Sequence, residues 1–223
     1  MGDPVKSSQV YSDQDADELI LLNIGGMKED LQLFNQTISK IASCCFVPLS
    51  VGGGIRSLQD ADTLFSAGAD KVVVNTAAYH ESNIITEISQ KYGSQAIIIS
   101  IDYRWSNGEP KLFSHGGSKE ENITLKKHLE NSAEKGAGEI MLQSMERDGL
   151  MEGYDLELLR SVAPRVAAPM IMAGGAGNFS HLLEAFKNGA DAVACGSLFN
   201  FGDNNPIRAK AYLKNNGIQI KKF

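Results

Sequence analysis

The sequence is short of cysteine, has no excess of positive charge and lacks any long apolar run, and each shortage removes a class of function. Its three cysteines are the adjacent pair Cys44 and Cys45 and a lone Cys195 in an apolar stretch. That pattern supplies neither a disulfide framework nor metal-ligand spacing, so all three are expected to be small buried residues. Four histidines are scattered without HExxH or HxxxH spacing, which argues against zinc; no metal and no cofactor is expected. A formal charge of −6 leaves no basic stripe for a phosphate backbone, so nucleic acid is not an expected partner. No stretch approaches the roughly 20 apolar residues of a membrane span. The start at Met1, Gly2, Asp3 and Pro4 has neither a basic nor an apolar leader region, and a cytoplasmic protein is expected.

What is present is a chain of 223 residues with 43% hydrophobic and 22% charged content, enough for one large domain over 1–223. Short β-branched runs alternate with helical patterns, which predicts βα units around a parallel sheet. Strands are expected at 18–24, 47–51, 71–75, 96–102, 139–143, 169–173 and 192–196. Helices are expected near 5–13, 28–41, 57–67, 81–92, 125–135, 156–162, 181–188 and 206–215. The stretch 103–118, rich in Gly, Ser and Asn, reads as a hairpin excursion.

The strongest signal is an internal repeat. Pro48-Leu-Ser-Val-Gly-Gly-Gly54 recurs as Pro169-Met-Ile-Met-Ala-Gly-Gly175, and Ala67-Gly-Ala-Asp70 recurs as Asn188-Gly-Ala-Asp191, both 121 positions later. The same offset of 121 carries Glu18 onto Glu139 and Asn75-Thr76 onto Gly196-Ser197. The fold class this predicts is a (β/α)8 TIM barrel of two half-barrel repeats. The strand ending at Asp102 opens the second half, and its counterpart by the same offset has a negative residue number, so the first β-strand is expected to be absent from this chain.

Glycine-rich turns after a strand let the backbone approach an anion, and a following helix N-terminus points N–H groups at it. Gly52, Gly53 and Gly54 with Asn75 and Thr76 would form one such nest, and Gly174 and Gly175 with Gly196 and Ser197 the other. Both fall at C-terminal strand ends, where barrel active sites lie, and two nests suit a substrate with two phosphates. Asp102 closes an apolar strand, where a partly desolvated carboxylate is suited to acid–base work. Asp148, followed by Gly149, is a second candidate, for catalysis or for holding a substrate hydroxyl; an Asp-Gly turn would look the same. Glu18, Lys71 and Glu139 start strands on the opposite face. They fit a salt-bridged ring guarding a polar path and fit a purely structural network equally.

Gly2-Asp-Pro, Val51-Gly-Gly-Gly-Ile55, Asp70-Lys-Val with Asn75-Thr-Ala-Ala78, Ser100-Ile-Asp102, Gly136-Ala-Gly-Glu139, Arg147-Asp-Gly149 with Gly153-Tyr-Asp155, and Gly174-Gly-Ala-Gly177 together resemble the HisF family across the whole chain. HisF is the cyclase subunit of imidazole glycerol phosphate synthase. The resemblance implies a cyclase/lyase of histidine biosynthesis, in heterodimer with a HisH-like glutaminase whose ammonia enters through the barrel floor. The substrate it implies is a bis-phosphorylated ribulosyl aminoimidazole carboxamide nucleotide. Residue by residue, it makes Asp102 catalytic and assigns Gly54, Asn75 and Thr76 to one phosphate and Asp148, Gly149, Gly175 and Ser197 to the other. Glu18, Lys71 and Glu139 become three of the four charges of an ammonia gate. Family members carry a further N-terminal segment with the first strand, a second catalytic aspartate, the gate arginine and a substrate lid. This chain is therefore expected to have little cyclase activity alone.

Asn23, Gln143 and Glu146 stand where histidine-pathway members usually carry Asp, Thr or Ser, and Asp. The tail 197–206 also resembles a HisF copy found in surface-polysaccharide (lipopolysaccharide) gene clusters, which implies an alternative role in supplying ammonia for acetamidino-sugar formation. A non-catalytic platform that binds a glutaminase is a third reading.

Overall fold

The computed structural model describes residues 2–25, 31–81 and 83–220. They divide into two compact units, Met1–Ile99 with Glu130–Gly138, and Ser100–Leu129 with Glu139–Phe223.

The first unit opens with α1 (Pro4–Asp13), begun by proline and capped by Asp3, whose side chain accepts the Val5 N–H; proline at a first helical position gives up no hydrogen bond. Strand β1 (Leu19–Leu22) follows, then α2 (Leu31–Cys44), β2 (Leu49–Gly52), α3 (Leu58–Ala67), β3 (Lys71–Val74), α4 (Thr76–His80) and α5 (Ile84–Tyr92). The start of β4 (Ile97–Ser106) completes the unit. The strands pair in parallel in the order β1-β2-β3-β4, with Leu21 opposite Val51, Val51 opposite Val72 and Val74 opposite Ile99. Val51, Val72, Ile97, Ile98 and Ile99 are fully buried, as the unbroken β-branched runs of a two-sided parallel sheet require.

In the second unit β4 continues into a meander with β5 (Glu109–Ser114) and β6 (Lys119–Glu121). After α6 (Leu125–Glu134) come β7 (Glu139–Ser144), α7 (Leu156–Val162), β8 (Met170–Ala173), α8 (Phe179–Lys187), β9 (Ala192–Val193), α9 (Ser197–Asn200) and α10 (Pro206–Asn215). Strands β7, β8 and β9 pair in parallel, with Met141 opposite Ile171 and Met172 opposite Val193. Parallel strands joined by helices place the chain in the α/β class of the TIM barrels.

The repeat survives down to individual bonds. An Asp70 carboxylate oxygen accepts the Leu49 N–H at 2.8 Å, and Asp191 does the same for Met170 at 2.8 Å. Helix α3 ends on Gly68 at φ 113, and α8 is followed within two residues by Gly189 at φ 103. Ser57 caps α3 and Asn178, at the repeat offset, caps α8. The Asp60 carboxylate takes the Arg56 N–H at 2.9 Å; in the second half His181 Nδ1 takes the Gly177 N–H at 3.2 Å.

Several expectations need correction. The segment 81–92 holds only α5, and the short helices α4 and α9 were not anticipated. Strand 192–196 is reduced to Ala192–Val193, although Ala194 N–H still reaches Met172 O at 2.8 Å. Helix α8 begins two residues earlier than read, because Asn178 is its cap. The expected start of α2 at 28 lies outside the described residues. Only Cys45 is buried; Cys44 and Cys195 are half-buried. Burial, then the neighbouring Cys44, pushes the Cys45 thiol up to about 11.

Candidate functional site

In the first unit the candidate phosphate residues gather at the C-terminal ends of two paired strands. Strand β2 runs out at Gly52 into Gly53 (φ 101) and Gly54 (φ 83), conformations that favour glycine. A Cβ on Gly53 would stand 2.2 Å from the Asn23 carbonyl oxygen, so the turn packs directly on the end of β1. Strand β3 ends at Val74, and Asn75 and Thr76 begin α4. At the other end of the same strands, Lys71 Nζ bonds both oxygens of Glu18, at 3.0 and 2.8 Å. Lys71 keeps 15% of its side chain exposed and Glu18 40%, so this pair is only partly desolvated and its attraction is modest.

The second unit repeats the arrangement with different side chains. Gly174 (φ 82) and Gly175 (φ 113) follow β8. A Cβ on Gly174 would meet Ser144 O at 2.5 Å, and one on Gly175 would meet Gly153 O at 2.3 Å. Gly196 precedes Ser197 at the start of α9, with φ −104 and ψ −71, close to the −119 and −84 of Asn75. Gly196 needs no glycine for its φ, and nothing lies within 4 Å of where its Cβ would stand. Its bareness leaves the backbone open to a ligand. Beneath it, the Tyr154 hydroxyl donates to Ala194 O at 3.0 Å and lies 3.2 Å from Cys195 Sγ. Burial raises both groups, the Cys195 thiol to about 11.

Asp102 sits on β4 opposite Phe113 of β5 and accepts a 3.0 Å bond from Ser100 Oγ. Asp148 and Gly149 lie in the turns that follow β7, both exposed, with the Asp148 N–H on Ser144 O at 3.1 Å. Asp102, Asp148, Gly149, Gly174, Gly175, Gly196 and Ser197 thus fall in one unit. Asp148 and Gly149 follow β7, Gly174 and Gly175 follow β8, and Gly196 and Ser197 follow β9; Asp102 does not close its strand, because β4 runs on to Ser106 and pairs with β5 from Asp102 onward. Glu139 is the first residue of β7, at the N-terminal end.

Asp155 was not singled out from the sequence as a site residue. It is 3% exposed, and its carboxylate accepts Tyr103 OH at 3.1 Å, Trp105 Nε1–H at 2.6 Å and Leu158 N–H at 3.0 Å. The last bond caps α7, and an aspartate just ahead of an apolar helix was the available signal. Tyr103 has no exposed surface, so it cannot stack on a ligand; burial, then the Asp155 charge, pushes its hydroxyl far above the usual range. Of the residues that depart from the histidine-pathway pattern, Glu146 accepts the Trp105 N–H at 3.3 Å and Asn23 Oδ1 accepts the Gly25 N–H at 3.1 Å. The Gln143 amide lies beside Gly174.

Among the described residues no three or more His, Cys, Asp or Glu are grouped to hold a metal ion, and no helix is long and apolar enough to cross a membrane.

Duplicated βα units with two glycine turns at strand ends define an α/β protein of the TIM-barrel class. The chain matches the family model described as "Histidine biosynthesis protein" over residues 1–205. It is 40% identical over 221 residues to the imidazole glycerol phosphate synthase subunit HisF of Pyrobaculum aerophilum (strain ATCC 51768 / DSM 7523 / JCM 9630 / CIP 104966 / NBRC 100827 / IM2), covering 99% of this chain and 87% of that protein. The HisF subunit of Thermotoga sp. (strain RQ2) is 40% identical over 220 residues, again 99% of this chain and 87% of the relative. The chain belongs to the HisF family.

Proposed function

We propose that this protein is the cyclase subunit of an imidazole glycerol phosphate synthase, acting on a bis-phosphorylated ribulosyl aminoimidazole carboxamide nucleotide in the cytoplasm. The observation that carries the reading is 40% identity to HisF subunits over nearly the whole chain. Each half then contributes a phosphate site: Gly54, Asn75 and Thr76 in one, and Asp148, Gly149, Gly174, Gly175, Gly196 and Ser197 in the other. Backbone N–H groups in left-handed glycine turns bind an oxyanion without a counter-charge. Asp102 is the catalytic carboxylate. It moves protons as ammonia adds to the nucleotide and the ring closes; the Ser100 hydroxyl, bonded to one of its oxygens, orients the other.

Ammonia comes from a HisH-like glutaminase docked at the N-terminal strand ends. There Glu18, Lys71 and Glu139 act as gate charges, the Glu18–Lys71 ion pair being one element of the gate.

The test is ammonia-dependent turnover of the ribulosyl carboxamide nucleotide, followed by absorbance, by the purified protein beside the same chain carrying a HisF first strand, the form expected to turn over. Asp102→Asn should cut kcat by about 10²-fold or more. Turnover unaffected by that change removes Asp102 from the mechanism. A protein that binds and activates a glutaminase but cyclises nothing points instead to sugar amidation or a platform role.

A further inference from the structure

Tyr103 and Trp105, two apart on β4, project from the same face of the strand, and both donate to the same oxygen of Asp155. Its other oxygen caps α7. A buried carboxylate whose two oxygens hold three donors is a rigid knot, since charge-assisted bonds are the strong ones.

The knot closes the loop that runs from β7 to α7. Met145 N–H bonds Tyr103 O at 3.1 Å at the near end of the loop, and Gly153 N–H bonds Gly175 O at 2.7 Å at the far end. Between them Met151 is held at φ 61, a left-handed conformation that a methionine keeps only when its surroundings fix it. Its carbonyl stands 2.0 Å from where a Gly177 Cβ would be. So the segment bearing Asp148 and Gly149 is tied to β4, to the Gly175 turn and to Asp155.

We propose that Asp155 is a positioning residue: through Trp105 and Tyr103 it locks the strand that carries Asp102 to the loop that carries Asp148 and Gly149. The separation between the carboxylate of Asp102 and the phosphate held at Gly149 and Gly175 is then fixed before substrate arrives. This rests on the reading of Gly149 and Gly175 as phosphate contacts. Trp105 is the chain's only tryptophan, so its emission is a built-in report on the loop.

The experiment titrates the protein with inorganic phosphate, following Trp105 emission and, separately, heat. Asp155→Asn keeps an oxygen to cap α7 but loses the carboxylate that serves two rings, whereas Asp155→Ala loses both roles. Phosphate should change the emission saturably. Asp155→Asn and Trp105→Phe should each bind phosphate about tenfold more weakly by calorimetry, equivalent to about 1.4 kcal/mol. In turnover by the chain carrying a HisF first strand, both should raise KM for the bisphosphate and lower kcat.

If phosphate binds with heat but leaves Trp105 emission unmoved, and Asp155→Asn binds within twofold of wild type while only Asp155→Ala fails, Asp155 is a helix cap and the proposal is overturned with the phosphate site intact. If folded wild type binds no phosphate at all, the phosphate reading fails and takes the proposal with it.

Discussion

The two halves share a backbone and differ in how they hold it. Both carry a strand-end aspartate on the preceding strand's first N–H, a left-handed glycine after the helix, and a pair of left-handed glycines after the central strand. The differences are in side chains: Asn75 against Gly196, Thr76 against Ser197, and the Asp60 carboxylate against the His181 imidazole as acceptor for the same backbone N–H. What both halves keep is the backbone geometry of the turn proposed to bind an anion. What they vary is how closely a ligand can approach and what supports the turn from behind. Among the described residues a knot such as Asp155 is seen in the second half; the corresponding loop of the first half includes 26–30, outside the described residues.

This comparison can be broken in order of expected effect. Gly53→Ala and its repeat counterpart Gly174→Ala each drive a Cβ onto a carbonyl from a left-handed φ. Each should cost about 3 kcal/mol, and the two costs should agree to about 1 kcal/mol in denaturant unfolding. A neutral Gly174→Ala would mean the second turn is not held as the first is. Asp70→Ala and Asp191→Ala remove the matched strand-end bonds and should each cost about 1.5 kcal/mol; thermal unfolding of the pair reads this directly.

The caps differ in kind. Asp60 accepts through a carboxylate and His181 through a ring nitrogen. His181→Asp should rebuild the capping box of the first half and stabilise by about 0.5–1 kcal/mol in denaturant unfolding. No gain would mean that the second cap is not the counterpart of the first. The smallest effect on stability is expected at Gly196→Ala, within about 0.5 kcal/mol, while phosphate binding at that end weakens.

Alkali acts on both halves through the thiols. The folded Cys45 and Cys195 are raised from 9.0 to about 11, so the protonated thiol is favoured in the fold. The stability this gives is complete below about pH 9 and lost as pH rises toward 11. The unfolding midpoint should fall across that window, and less so in a Cys45→Ala, Cys195→Ala double variant.

Much of this was legible in the sequence, because the repeat is written in residues with strong backbone preferences. Gly53, Gly54, Gly174 and Gly175 are needed for φ, Asp70 and Asp191 for strand ends, and Pro206 starts α10 where it was read. Helices α4 and α9 were missed because four or five residues are too few to show a helical period. The end of β9 was overread because Ala192 to Gly196 is apolar whether or not it is laddered. Asp155 escaped because its partners, Tyr103 and Trp105, lie about fifty positions away across the hairpin, and no local pattern reports a long-range hydrogen bond.

On the function proposed, the duplicated turns are two phosphate sites in one chain. Calorimetric titration with inorganic phosphate tests it most directly, using wild type beside Thr76→Asp and Ser197→Asp, each of which puts a negative charge into one nest. Wild type should bind two equivalents and each variant one. A single equivalent in wild type, abolished by one variant and untouched by the other, would contradict it.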